Sequence, residues 1–160
     1  MTTYPLTKEG LTLDELVARI MATRSKISPH AMSSMKTKAF ELRKPGSCNI
    51  GLFTAKYLGV ADLAETDLFG KAGVERLYQV HCEFAEIDDA PHFRYTYPNQ
   101  PLGQRVWFAQ RPIQVPPYQF IFTVECEDNG QTHLKVLHPD WRMAVDPDTL
   151  LAVRILEEVS

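Results

Sequence analysis

The residues best suited by type to covalent chemistry are Cys48, in KPGSCNIGLFTAKYLG, and His133, in GQTHLKVLHPDW. Pro45-Gly46-Ser47 reads as a stop followed by a cap, which predicts that Cys48 sits in the first turn of a helix running to Gly59. At that position the helix dipole and free backbone N–H groups favour thiolate over thiol. An imidazole within hydrogen-bond reach would complete a nucleophile for acyl transfer. His133 lies near the start of an expected strand, and Asp140 or Asp146 follows as a group to orient the ring. The simpler alternative is that Cys48 is a small, half-buried residue at a helix cap.

This order of roles, a cysteine at a helix start and a histidine on a later sheet strand, is similar to that of papain-like thiol hydrolases and peptidoglycan amidases. The resemblance covers GSCNIGLFTAKYLG and the strand histidine. It implies Cys48 as nucleophile, His133 as general base and Asp140 as orienter. Residues 40–47, FELRKPGS, depart from the pattern because they hold no glutamine-like oxyanion donor. Asn49-Ile50 departs from it too, where small residues are usual.

A metal centre would draw on His81, Cys82, Cys126, His133 and His138, and zinc needs four such ligands converging at about 2.0–2.3 Å. The spacing opposes this. His81 and Cys82 are adjacent on an expected strand and point to opposite faces, and His133 and His138 are an odd number apart. Cys82 and Cys126 share their faces with Val80, Phe84, Phe122 and Val124, as buried free thiols do. No metal and no cofactor is expected.

Aromatic residues concentrate between positions 93 and 122: Phe93, Tyr95, Tyr97, Trp107, Phe108, Tyr118, Phe120 and Phe122, with Arg94, Arg105 and Arg111 among them. Rings interleaved with guanidinium groups suit a hot-spot surface for a protein partner or a stacking platform for single-stranded bases. Trp107 and Phe108 are neighbours on an expected strand and cannot both face one core. Lys36, Arg43 and Lys44 share an arc of the expected second helix, as an accessory basic surface or a solvated face.

The elements that must position these groups follow from capping and periodicity. Thr12 and Glu15 have capping-box spacing, with Leu11 and Leu16 as the staple. Leu13, Leu16, Val17, Ile20 and Met21 then form a helical stripe. Ser28-Pro29 opens a second helix that Lys44-Pro45-Gly46 stops. Ala61 to Leu68 reads as a short helical piece. From Leu77 onward the pattern alternates in LYQVHCEFAEI, HFRYTY, RVWFAQ, YQFIFTVECE and THLKVLH. Asp128-Asn129-Gly130-Gln131 joins the last two as a hairpin. Pro98, Pro101, Pro112, Pro116 and Pro117 separate the strands. At the end of the chain, Asp146-Pro147 favours a closing helix, while Leu151, Val153 and Ile155 alternate as a strand would. Helices followed by strands predict an α+β fold: a helical N-terminal half packed on a four- or five-stranded antiparallel sheet.

The chain has 160 residues, 44% of them apolar, and a formal charge of −3. That length and composition fit one domain over residues 1–160. The charge provides no global attraction to nucleic acid or anionic lipid. The opening, MTTYPLTKEGLTLDEL, lacks the basic and apolar regions of a secretory signal, and no apolar run spans a bilayer. Three unpaired cysteines suit a reducing, cytoplasmic setting. Basic residues cluster between 19 and 44 and acidic ones between 61 and 90, so the two blocks face each other or mark two surfaces. The expectation is a non-catalytic binding or regulatory domain with a protein partner, engaged through Trp107, Arg94, Arg105 and Tyr95, with Lys36 and Arg43 as accessory contacts. Nucleic acid ranks second as a partner, and a small thiol hydrolase is the alternative function.

Overall fold

The computed structural model describes residues 2–97 and 99–157. Pro98, one of the prolines expected to separate strands, lies outside the described residues. Among the described residues there are nine strands and six helices. The strands are β1 (Thr2–Lys8), β2 (Lys26–Ile27), β3 (Gly46–Thr54), β4 (Cys82–Glu83), β5 (Arg105–Phe108), β6 (Ile113–Val115), β7 (Tyr118–Cys126), β8 (Thr132–Leu137) and β9 (Leu150–Ile155). The helices are α1 (Leu13–Ala22), α2 (Pro29–Met35), α3 (Ala55–Leu58), α4 (Glu65–Leu68), α5 (Lys71–Gln79) and α6 (Asp89–Thr96).

All strands belong to one mixed sheet curled into a half-barrel, in the order β1-β3-β9-β5-β7-β8-β2, with β4 on β9 and β6 on β7. The pairs β5–β9 and β2–β8 are parallel and the rest antiparallel. This corrects the expected helical half on a four- or five-stranded antiparallel sheet: the chain is 27% helical and 33% strand. The closing helix is also replaced, because residues 150–155 form β9, inserted between β3 and β5.

The physical reason is burial on both sheet faces. Leu6, Ile50, Leu52, Val106, Phe108, Phe122, Val124, Leu134 and Ala152 face an inner core with Leu16 and Ile20 of α1, Met35 of α2 and Phe93 of α6. Phe53, Ile121, Leu151 and Val153 face an outer core with Leu58 of α3, Leu68 of α4 and Leu77 of α5. A strand buried on both sides reads as a continuous apolar run, and periodicity cannot separate it from a helix. That is why NIGLFT resembled a helix. Gly51 fits there because a Cβ at that position would overlap the Phe53 ring.

The converse error fell on HFRYTY. This segment is α6, in which Asp89 to Arg94 are all buried, and which packs on α1, β1, β7 and β8. A helix buried all round lacks a polar face, so its sequence has no amphipathic period. The Thr12 capping box, the Ser28 cap and the β7–β8 hairpin all stand as read. The second helix is shorter than read, because α2 ends at Met35. LYQVHCEFAEI splits into the end of α5, a turn with His81 at φ 58° and the two-residue β4.

Among the described residues no helix is long and apolar enough to cross a membrane. The sheet edges are blunted: β2 is two residues long, and β1 carries Pro5, which has no N–H to offer another strand.

Candidate functional site

Cys48 lies on a strand, opposite Leu6 of β1, and not at a helix start. Its side chain faces the inner core, half-buried. Burial, reinforced by the Asp89 carboxylate, pushes the thiol up to about 11 against the partial opposition of Arg154 and Lys8. His133 is on β8, and β9, β5 and β7 lie between it and β3. Four strand spacings correspond to about 19 Å along the sheet. The two side chains also take opposite faces, since Leu134 next to His133 points inward. His133 Nε2 lies 3.2 Å from Glu127 Oε1. Asp140 is engaged by Arg142, at 2.8 Å through its backbone N–H and 3.2 Å through Nε. The Cys48–His133–Asp140 arrangement is therefore not assembled. The thiol sits where its anion is disfavoured, with His133 on the opposite face of the sheet and Asp140 engaged by Arg142.

The aromatic and arginine set is also dispersed. Arg94 is completely buried in α6. It donates to Gln100 Oε1 at 2.6 Å and to the Tyr97 carbonyl at 2.8 Å, with longer contacts to the Glu125 and His133 carbonyls. Burial without a facing carboxylate lowers its pKa to about 10. Arg94 thus ties the end of α6 to β7 and β8 and presents nothing to a partner. Tyr95 is half-buried against the inner core, its hydroxyl without a partner. Phe108 is buried in the inner core, whereas Trp107 packs half-buried against the outer one and borders an open pocket with Arg105 and Thr149. Arg105 is exposed, 3.5 Å from Glu125 Oε1. Lys36 caps α2, while Arg43 lies seven residues further on in a loop, so the expected basic helix face does not form.

The structure instead gathers charge where the inner face meets the start of α6. The alternation of TTYPLTK puts Lys8 on the same side as Leu6, inside the half-barrel. Lys8 Nζ lies 2.5 Å from Asp88 Oδ1, 2.6 Å from Asp89 Oδ1 and 3.1 Å from Glu86 Oε2. Arg154 of β9 forks onto Asp89, with Nε at 2.7 Å and a terminal nitrogen at 2.9 Å, and reaches Glu86 at 3.1 Å. Asp88 Oδ2 accepts the Arg43 N–H at 2.9 Å, which anchors the 41–45 loop. Burial works against the Lys8 ammonium, but Asp89 and Asp88 outweigh it and raise its pKa. Burial likewise opposes the Asp89 carboxylate, and Arg154 and Lys8 reverse that, lowering it.

Oxygens of Glu86, Asp88 and Asp89 lie within 4.8 Å of one another, the one such acidic group among the described residues. Its centre is held by the Lys8 ammonium, which fills the role a metal cation would fill. Outside this cluster opens a cleft of about 610 Å³ lined by Lys8, Arg43, Lys44, Ser47, Glu86 and Arg154. A buried lysine in an alternating strand was the legible sign of this site, since a lysine there requires carboxylate partners. Which acids would meet it depended on the β1–α6 contact. Most of the side chains that line the cleft are charged. No protein-family model matches the chain, and neither the curated proteins nor the solved structures contain a match to it.

Proposed function

We propose that the chain is a non-catalytic binding domain that takes an acidic segment of a protein partner in the cleft beside Arg43 and Lys44. The observation that carries this reading is the charge of the lining: four cationic side chains, Lys8, Arg43, Lys44 and Arg154, against the single carboxylate of Glu86. Lys8 and Arg154 are already neutralised by the buried Asp88 and Asp89. They form the rigid floor. Arg43 and Lys44 are exposed at the rim and supply the remaining charge, Arg43 with the exposed Glu41 at 3.8 Å. Gly46 and Ser47, also exposed there, add backbone groups at the same edge. Exposed ion pairs contribute only about 0.2–1 kcal/mol each, so recognition draws on several of them together and weakens with salt.

The test is titration of the protein with a short glutamate-rich peptide, with a short oligothymidylate in parallel, followed by amide NMR. The expected result is salt-sensitive peptide binding that shifts the amides of residues 43–47. Combined Arg43→Glu and Lys44→Glu should weaken it by about tenfold or more, as reversal of two rim charges turns attraction into repulsion. Binding of the oligonucleotide alone would replace the protein partner with nucleic acid. Peptide binding indifferent to the double reversal would remove the cleft from the function.

A further inference from the structure

A second cavity, of about 500 Å³, opens at the corner between α4 and α5, on the outer side of the sheet. It falls in the range of about 300–1,000 Å³ that holds small molecules. Phe69, Val74 and Phe84 form its apolar walls, and Lys71, Glu75 and Arg111 its rim. The corner is tight because Gly73 of α5 lies directly on the Leu68 carbonyl, where no Cβ fits. Phe84 and Arg111 are brought together by the bridge between Ala85 and Gln110, closed by the Ala85 N–H to the Ala109 carbonyl at 2.7 Å.

The rim charges do not cancel. Lys71 Nζ lies 4.0 Å from Glu75, whereas Arg111 forms no ion pair among the described residues. The N-cap of α5 is Gly70, which contributes no capping side chain. The first-turn N–H groups therefore add positive potential at the same end. Val74 remains 48% exposed, which is costly apolar surface for water to cover.

We infer that this cavity binds a small amphiphilic monocarboxylate, with its hydrocarbon body against Phe69, Val74 and Phe84 and its carboxylate at Arg111. Apolar walls with one uncompensated guanidinium at the rim select that combination. A neutral hydrocarbon would leave Arg111 unused, and a highly charged anion would find no place for its remaining charges. The site is separate from the cleft beside Lys44.

The experiment compares octanoate with 1-octanol by amide NMR titration of the full chain. Octanoate should shift the amides of residues 69–75 and 84–86 and saturate near millimolar concentration, as suits a ligand of this size. Arg111→Ala should weaken octanoate about fivefold to tenfold through the lost charge-assisted bond, and leave octanol unchanged. Val74→Glu should abolish binding of both, with an otherwise conserved spectrum reporting a retained fold. Absence of saturable octanoate shifts would overturn the proposal. So would octanol binding as tightly as octanoate, or an Arg111→Ala variant with unaltered affinity.

Discussion

Lys8 Nζ and Asp89 Oδ1 are 2.6 Å apart, and both side chains are withdrawn from solvent, at 4% and 0% exposure. This pair joins the first strand of the chain to the start of α6. It also shares its charge with Asp88, equally buried, and with Arg154. The cluster is the electrostatic hinge of the inner face, because each member is tolerable there only through the others.

Replacing Lys8 should therefore cost far more than its own contacts. Lys8→Met takes the ammonium from buried Asp88 and leaves Asp89 to Arg154 alone, and breaking such a buried pair costs about 3–5 kcal/mol. Urea denaturation should show the midpoint falling accordingly. A loss under 1 kcal/mol, the range of an exposed pair, would mean that water reaches Asp88 and Asp89.

Lys8→Ala should also convert the acidic group into a cation site. Manganese or calcium should raise the melting temperature of the variant, since a divalent ion replaces the missing ammonium among Glu86, Asp88 and Asp89. The unmodified protein should show no such rise, because its own lysine fills the position.

The cluster sets a pH window. Asp89 is depressed in the folded state, so its stabilisation is present above the unfolded value near 3.8 and is lost as pH falls below it. Lys8 is raised in the folded state, so its contribution is present below 10.5 and is lost as pH rises beyond that. Denaturation midpoints measured across pH should decline first on the acid side, starting near pH 4. Asp89→Asn should shrink that acid-side decline, and an unchanged acid limb would assign it to other carboxylates.

The Cys48 thiol should be sluggish. Lifted from 9.0 to about 11, it carries about a hundredfold less thiolate at neutral pH than an unperturbed thiol. Disulfide-exchange labelling of Cys48 in the native protein near pH 7.5 should be slower than in the urea-unfolded chain by about tenfold or more, since the greater nucleophilicity of a more basic thiolate offsets part of its scarcity. Fast native labelling at Cys48 would restore the nucleophile that the strand geometry removes.

Gly73→Ala should invert a general rule. In an exposed helix the change stabilises by up to about 1 kcal/mol. Here the new methyl would meet the Leu68 carbonyl, and the α4–α5 corner must open. The melting temperature should drop, whereas Gly46→Ala, which meets open space, should leave it nearly unchanged.

The sequence by itself determined the local features whose physics is local. Thr12 and Glu15 form a capping box because the donor and acceptor are three residues apart, whatever the rest of the chain does. Ser28-Pro29 and the Asp128–Gln131 turn follow from the same short-range chemistry. Tertiary structure alone decided the rest. Residues 50–53 became strand and 89–94 helix with every residue in both stretches buried, and full burial erases the periodicity that distinguishes the two. The last strand entered the middle of the sheet and brought Arg154 to Asp89, 65 residues away in the chain. Lys8 met Asp88 and Asp89 for the same reason. A buried charge announces that it needs a partner, but only the fold, by setting which distant strands and helices touch, chooses which one.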